Sequence, residues 1–177
     1  MKKIRGFIAV ALVASSLFPL TACGKKIQKI DEDDLIDGFE DIFDWDESSD
    51  YRENEDYGFH VANYDDPDDP FEYEAEYTLQ GAEFDDDGTY AYIMYYIMDE
   101  DDAAEMFDNY YGAYADGKKD VESDYSKGKY GYYLEVDEDD CFRAMYYSGD
   151  MILEISTSGE EEVENVKKLL KDVGLPC

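Results

Sequence analysis

From Phe71 onward the chain alternates. Phe71, Tyr73, Ala75, Tyr77 and Leu79 are separated by Glu72, Glu74, Glu76 and Thr78, an apolar face against an acidic one at the period of a β-strand. Asp85-Asp86-Asp87-Gly88 marks a turn. Thr89 to Met98 is then apolar at both parities, which predicts a strand in the middle of a sheet, paired with the first as a hairpin. Tyr130–Val136, Cys141–Tyr147 and Met151–Thr157 give three more strands, turned by Asp137-Glu138-Asp139-Asp140 and Ser148-Gly149-Asp150. The period changes to that of a helix in three places. Over 31–45, Leu35, Ile36, Phe39, Ile42 and Phe43 share a face, with Asp31 as N-cap and acids in the first turn. Asp99-Glu100-Asp101-Asp102 caps a second helix, whose apolar side carries Met106, Phe107, Tyr110 and Tyr114 and which ends at Gly117. Val163, Val166, Leu169, Leu170 and Val173 stripe a third, started by Ser158 or Gly159 and stopped by Gly174 and Pro176.

Residues 46–70 read as an acidic loop or linker with at most a short edge strand near 58–64, since Pro67 and Pro70 remove backbone donors and restrict their predecessors. Residues 118–129 read as a polar loop. Runs of strands joined by short turns imply an α+β domain: an antiparallel sheet of about five strands with two to three helices packed on it.

The first residues follow a different logic. Lys2, Lys3 and Arg5 precede an apolar run from Gly6 to Leu20, shorter than the ~20 residues a membrane span needs. Positive start, short apolar stretch and small residues before a cleavage point are the parts of an export signal. The run closes on Leu20-Thr21-Ala22-Cys23, which resembles the lipobox of bacterial lipoproteins. The resemblance implies cleavage between Ala22 and Cys23 and lipid, labelled by palmitate, on the Cys23 thiol. Residues 1–22 are then a signal peptide, 23–30 a lipidated tether carrying Lys25, Lys26 and Lys29, and 31–177 a single acidic domain. Its place is the extracytoplasmic face of the cell membrane. Cations beside the lipid add to its hold on anionic headgroups.

Charge narrows the partners. The chain has 47 acidic and 15 basic residues, a net −32, which excludes nucleic acid and a body lying flat on an anionic membrane. What remains is attachment to the membrane through the lipid on Cys23, an unknown protein or glycan ligand, and weak binding of cations. With 18 Tyr and 9 Phe the chain has too much apolar area to be disordered.

Candidate chemistry is sparse. Glu83, Asp85 and Asp87 stand at positions one, three and five before Gly88, as in a calcium loop, but position twelve is Met94 where a bidentate Glu belongs, and a hairpin turn explains the segment without metal. One histidine, His60, cannot build a zinc site. Among 47 acids, carboxylate pairs of the glycosidase kind arise by chance. Cys141 and Cys177 are either a disulfide or two separate thiols. Tyr90, Tyr92 and Tyr96 share one strand face, near Tyr133 and Tyr147, and a tyrosine face left uncovered would be a ligand platform.

The lipobox, the strand-cap-helix unit Tyr95-Tyr96-Ile97-Met98-Asp99-Glu100-Asp101-Asp102-Ala103-Ala104-Glu105-Met106-Phe107, and the closing strand with a lysine-bearing helix ending at Leu175 together resemble small surface lipoproteins of the Gram-positive type. That resemblance implies no catalytic residues and no cofactor. The sequence therefore points to a non-enzymatic binding or interaction module. Its alternatives are a weak calcium-binding surface protein and a carboxylate-dependent hydrolase.

Overall fold

A computed structural model describes residues 27–86, 88–136 and 141–177. Ala22, Cys23, Asp87 and the turn at 137–140 lie outside the described residues. The elements run α1 (Glu32–Phe43), β1 (Tyr51–Val61), β2 (Phe71–Phe84), β3 (Tyr90–Met98), α2 (Glu100–Tyr114), β4 (Val121–Ser126), β5 (Tyr130–Val136), β6 (Cys141–Ser148), β7 (Met151–Ser158) and α3 (Glu160–Asp172). The strands form one antiparallel sheet in the order β1-β2-β3-β7-β6-β5-β4. Two meanders meet at a seam. The first runs β1-β2-β3, α2 carries the chain to the far edge, and β4 to β7 return until β7 pairs with β3. The class is the α+β one expected, with seven strands instead of about five.

Both added strands are edges. Tyr51–Val61 replaces the expected linker and Val121–Ser126 the expected polar loop. Neither sequence alternates cleanly, because each has one paired side and one side in water. Exposed charges such as Glu53 and Glu55 keep the outer edge from pairing with other chains.

The helices divide the sheet into two cores. α1 and α3 cover one face with Leu35, Phe39, Val166, Leu169 and Leu170, packed on Ile93, Tyr95, Leu153 and Ile155. Gly38 lets the two helices approach, since a methyl group there would collide with Leu169. α2 covers the other face with Ala103, Met106 and Phe107 on Tyr133, Met145, Tyr147 and Ile152. Gly131 on β5 leaves room for the Phe107 ring in the same way.

The long alternation of β2 does not keep one face. The pairing with β3 slips between Ala75 and Tyr77, so Glu76 is an extra residue. Tyr73 and Ala75 pack under α2, whereas Tyr77 and Leu79 pack toward α1 and α3. β1 bends alongside, with Asp56 at φ 50°. Its Tyr51 joins the α1/α3 core while Val61 joins the α2 core. The far half of the hairpin thus curls around α2. Phe59 stacks on Tyr96 at 4.8 Å, and Asn109 of α2 donates to the Ala62 carbonyl at 2.9 Å.

The expected tether is partly domain. Ile27 and Ile30 are buried in the α1/α3 core. The Ser148 hydroxyl donates to the Ile27 carbonyl and the Tyr95 hydroxyl to the Ile30 carbonyl. Lys29 pairs with Asp150 at 2.8 Å. Apolar residues at 27 and 30 bury because the β6–β7 turn offers them a dry seat. The domain therefore begins by Ile27, inside the segment expected as tether.

Candidate ligand-binding face

α2 is shorter than the sheet face it covers. Its last turn brings Tyr110 and Tyr114 over the middle of β7, β6 and β5, and the upper rows of β3, β7 and β6 stay open. Register defines those rows. Glu154 lies opposite Met94 on β3 and Met145 on β6, while Ser156, one row up, lies opposite Tyr92 and Arg143. Arg143 lies opposite Glu135 on β5. Side chains at alternate positions of a strand share a face, so all of these point to the α2 side.

The three tyrosines expected to form a platform divide. Tyr96 is buried beneath Phe59, while Tyr90 and Tyr92 remain half-buried. The Tyr90 hydroxyl meets the Ser156 hydroxyl at 3.1 Å, and its ring stacks on Phe84 at 5.9 Å. Phe84 is 71% exposed, so the upper rim of this face is an aromatic pair open to water. A hollow of about 170 Å³ beside it has Tyr90, Arg143, Cys141 and Ser156 among its walls. Tyr133 and Tyr147 are buried on the same face, under α2.

Glu154 is the hub of the face. It is half-buried in the central strand, between Met94 and Met145 and on the face that carries Tyr92. Burial raises the phenols of Tyr92, Tyr96, Tyr110 and Tyr133, and in each the charge of Glu154 is the next cause. The Tyr64 phenol is pushed up to about 12 by burial first, then by its bond to Tyr114. Burial also raises the Glu154 carboxyl itself, with the Arg143 charge opposing. Arg143 is otherwise engaged. It pairs with Glu135 at 3.4 Å, and its guanidinium lies 5.2 Å from the Tyr114 ring centroid. Tyr64 closes the rim from the loop after β1: its hydroxyl meets that of Tyr114 at 2.8 Å, and its backbone N–H donates to Asn109.

Sequence reasoning missed Glu154, Arg143, Tyr64, Tyr110 and Tyr114 as members of one group. The signal for the first was present. A glutamate inside Met151-Ile152-Leu153-Glu154-Ile155 is a charge in a strand otherwise built for burial, where charges are rare unless paired.

The other sequence candidates are dispersed. Glu83 accepts the Trp45 indole N–H, and Asp85 accepts the Thr89 hydroxyl within a turn closed by Gly88 N–H to the Asp85 carbonyl. Among the described residues no three acidic, histidine or cysteine side chains gather as a metal site. Asp99 caps α2 by accepting from the Asp101 N–H at 2.8 Å. His60 lies exposed on β1, 3.7 Å from Glu72. Cys177 is an exposed free thiol, and Cys141 lies half-buried at the start of β6. They sit at opposite ends of β6. The Cys141 thiol contacts Ser158 where β6 begins, and the Pro176 carbonyl accepts from Tyr146 near its end, on the other face. A bond between the two would need strands to move. A larger hollow, of about 790 Å³, lies between Ile27–Asp34 and Val173–Pro176, where the described chain begins. Its walls include no tyrosine and it lies away from Glu154.

No protein-family model, curated protein or solved structure matches this chain.

Proposed function

We propose that this chain is a lipid-anchored extracytoplasmic lipoprotein whose domain is a non-enzymatic binding module, with Tyr90, Tyr92 and Glu154 on the ligand face. The observation that carries the binding reading is the row of half-buried aromatic and polar groups left open beyond the end of α2. A tyrosine platform offers contact area at low entropic cost, with hydroxyls that accept or donate. The anchor rests on Leu20-Thr21-Ala22-Cys23 and the basic residues around the apolar run. No helix among the described residues is long and apolar enough to cross a membrane.

The buried Ile27 makes the anchor short. From Cys23 to Ile27 is four Cα steps, about 14 Å at full extension. Ile30 docks at Met151, at one end of β7, while Ser156 lies five residues along, about 17 Å away. On this reading the end bearing Ile27 faces the membrane and the Tyr90–Phe84 rim faces outward.

Two measurements test the two parts. Palmitate labelling of cells making the parent and Cys23→Ala tests the anchor; equal labelling refutes it. A melting-temperature screen of cations, anions and neutral saccharides at fixed ionic strength tests the binding face. A saturable shift that disappears in Tyr90→Ala/Tyr92→Ala supports the reading, and no shift from any class overturns it.

A further inference from the structure

A carboxylate withdrawn from water normally finds a cation or an N–H or O–H donor, because the desolvated charge is otherwise costly. Glu154 finds none among the described residues. Among the described residues no donor reaches its oxygens, and no cation lies within ion-pair distance. Arg143, the nearest cation by register, is turned to Glu135 and to the Tyr114 ring. Burial holds the phenols of Tyr92, Tyr96 and Tyr110 neutral, with the charge of Glu154 the next cause. Glu154 nevertheless keeps partial contact with solvent, beside the half-buried Tyr92 and Tyr110 and the 41% exposed Tyr64. A half-buried carboxylate without a partner among the described residues, on a tyrosine-rich face in contact with water, suits a positive charge larger and less hydrated than a metal ion.

We infer that this face binds an organic ammonium group, primary or alkylated, with Glu154 as its counter-ion and the rings of Tyr92, Tyr110 and Tyr64 around it. The inference rests on the reading of this face as the ligand face. Ring faces attract ammonium ions through their quadrupole, most strongly when water is displaced. Calcium is a poor occupant, since it takes six to eight oxygens and Glu154 supplies two. A neutral glycan would stack on the rings but leave the carboxylate desolvated and unpaired. The net charge of −32 adds a long-range attraction for any cation approaching the domain. The ammonium belongs either to a small molecule or to a lysine side chain.

The test is a titration of the domain with tetramethylammonium chloride, with n-butylammonium chloride and with a blocked Gly-Lys-Gly peptide. Sodium chloride at matched ionic strength and maltose serve as comparators. Binding is read from the ring-current shift of the ligand's methyl or methylene protons. Saturable binding of at least one ammonium probe is expected, weakened about tenfold or more in Glu154→Gln, a loss that corresponds to removal of a buried counter-charge. Preference for the peptide over the free ions assigns the lysine source; the reverse assigns a small molecule. Trp45 emission verifies that the variant is folded. Binding of maltose with no response to any ammonium overturns this inference and leaves the binding-module reading standing. Ammonium binding that is equal in parent and Glu154→Gln also overturns it. No binding of any probe removes both.

Discussion

Trp45 donates its indole N–H to the Glu83 carboxylate at 2.8 Å, joining the end of α1 to the tip of the β2–β3 hairpin across 38 residues. The indole is buried and stacks on Phe43 at 4.5 Å. Replacing Glu83 with Ala leaves that N–H without its partner, at a cost of about 1–3 kcal/mol. Trp45 is the single tryptophan, so guanidinium unfolding followed by its emission measures the loss directly. The same contact tests the calcium alternative. With Glu83 held by Trp45, millimolar calcium is expected to leave the emission unchanged. A saturable change would support Glu83 and Asp85 as ligands.

How much of this was legible in the sequence depends on how many sides of an element are buried. β3, β6 and β7 are buried on both faces, and α1, α2 and α3 on one, so hydrophobic periodicity found all six. β1 and β4 are edges; half of their residues meet water and their pairing partner, not their own pattern, makes them strands. The face switch at Glu76 was invisible because a bulge changes which side a residue faces without changing the alternation. The candidate site was half legible. Tyr90 and Tyr92 could be read from one strand, but Glu154 and Arg143 join them only through the β3–β7 seam, between meanders far apart in sequence, and Tyr64 only through α2.

The seat of Ile27 and Ile30 predicts that these residues hold the fold as well as linking it to what precedes. Ile27→Ala and Ile30→Ala should each cost about 2–5 kcal/mol, the range for a large aliphatic residue lost from a core. Lys29→Ala, which removes an ion pair that is partly in water, should cost no more than about 1 kcal/mol. Urea midpoints of the three variants check the ranking. If the isoleucine variants matched the lysine one, residues 27–30 would be tether after all.

Gly81 faces Trp45 and Phe39 across the α1/α3 core, and a methyl group there would overlap the indole. Gly81→Ala should therefore destabilise by about 1–3 kcal/mol, the usual cost of overpacking. Gly112 is an exposed residue inside α2 with open space where a Cβ would go. There the same change should stabilise by about 1 kcal/mol, by helix propensity alone. Opposite signs from one chemical substitution, measured by thermal unfolding, separate close approach from backbone entropy.

Asp56 takes a left-handed backbone at the bend that folds the β1–β2 hairpin around α2. Asp56→Gly should leave stability unchanged or slightly raised, while Asp56→Val should cost about 1–2 kcal/mol, because a branched side chain clashes with its own backbone there. Equal effects of the two would mean that the bend is held by packing of Phe59 on Tyr96 and not by backbone preference.

Glu154 gives the prediction on pH. Burial lifts its carboxyl above the ordinary range, against the opposing charge of Arg143. The folded protein then holds this proton more tightly than the unfolded chain does. The stability it contributes is complete below the unfolded value of ~4.3 and is lost as pH rises through the higher folded one. Of the groups facing it, the phenols of Tyr92, Tyr96, Tyr110 and Tyr133 are raised and stay neutral in that window, and Glu135, paired with Arg143, is an acid common to parent and variant. Glu154→Gln cannot ionise. It should be more stable than the parent near pH 7, by about 1 kcal/mol, the scale of one unpaired buried polar group. The two should converge near pH 4. The other acids contribute equally to both chains, so the difference between parent and variant isolates Glu154. A parent as stable as the variant at neutral pH would mean that its carboxylate is well solvated or paired. A ligand that supplies the missing positive charge stabilises the parent and not the variant. An ammonium ion that binds at Glu154 should therefore narrow the gap at pH 7, and sodium at the same ionic strength should leave it open.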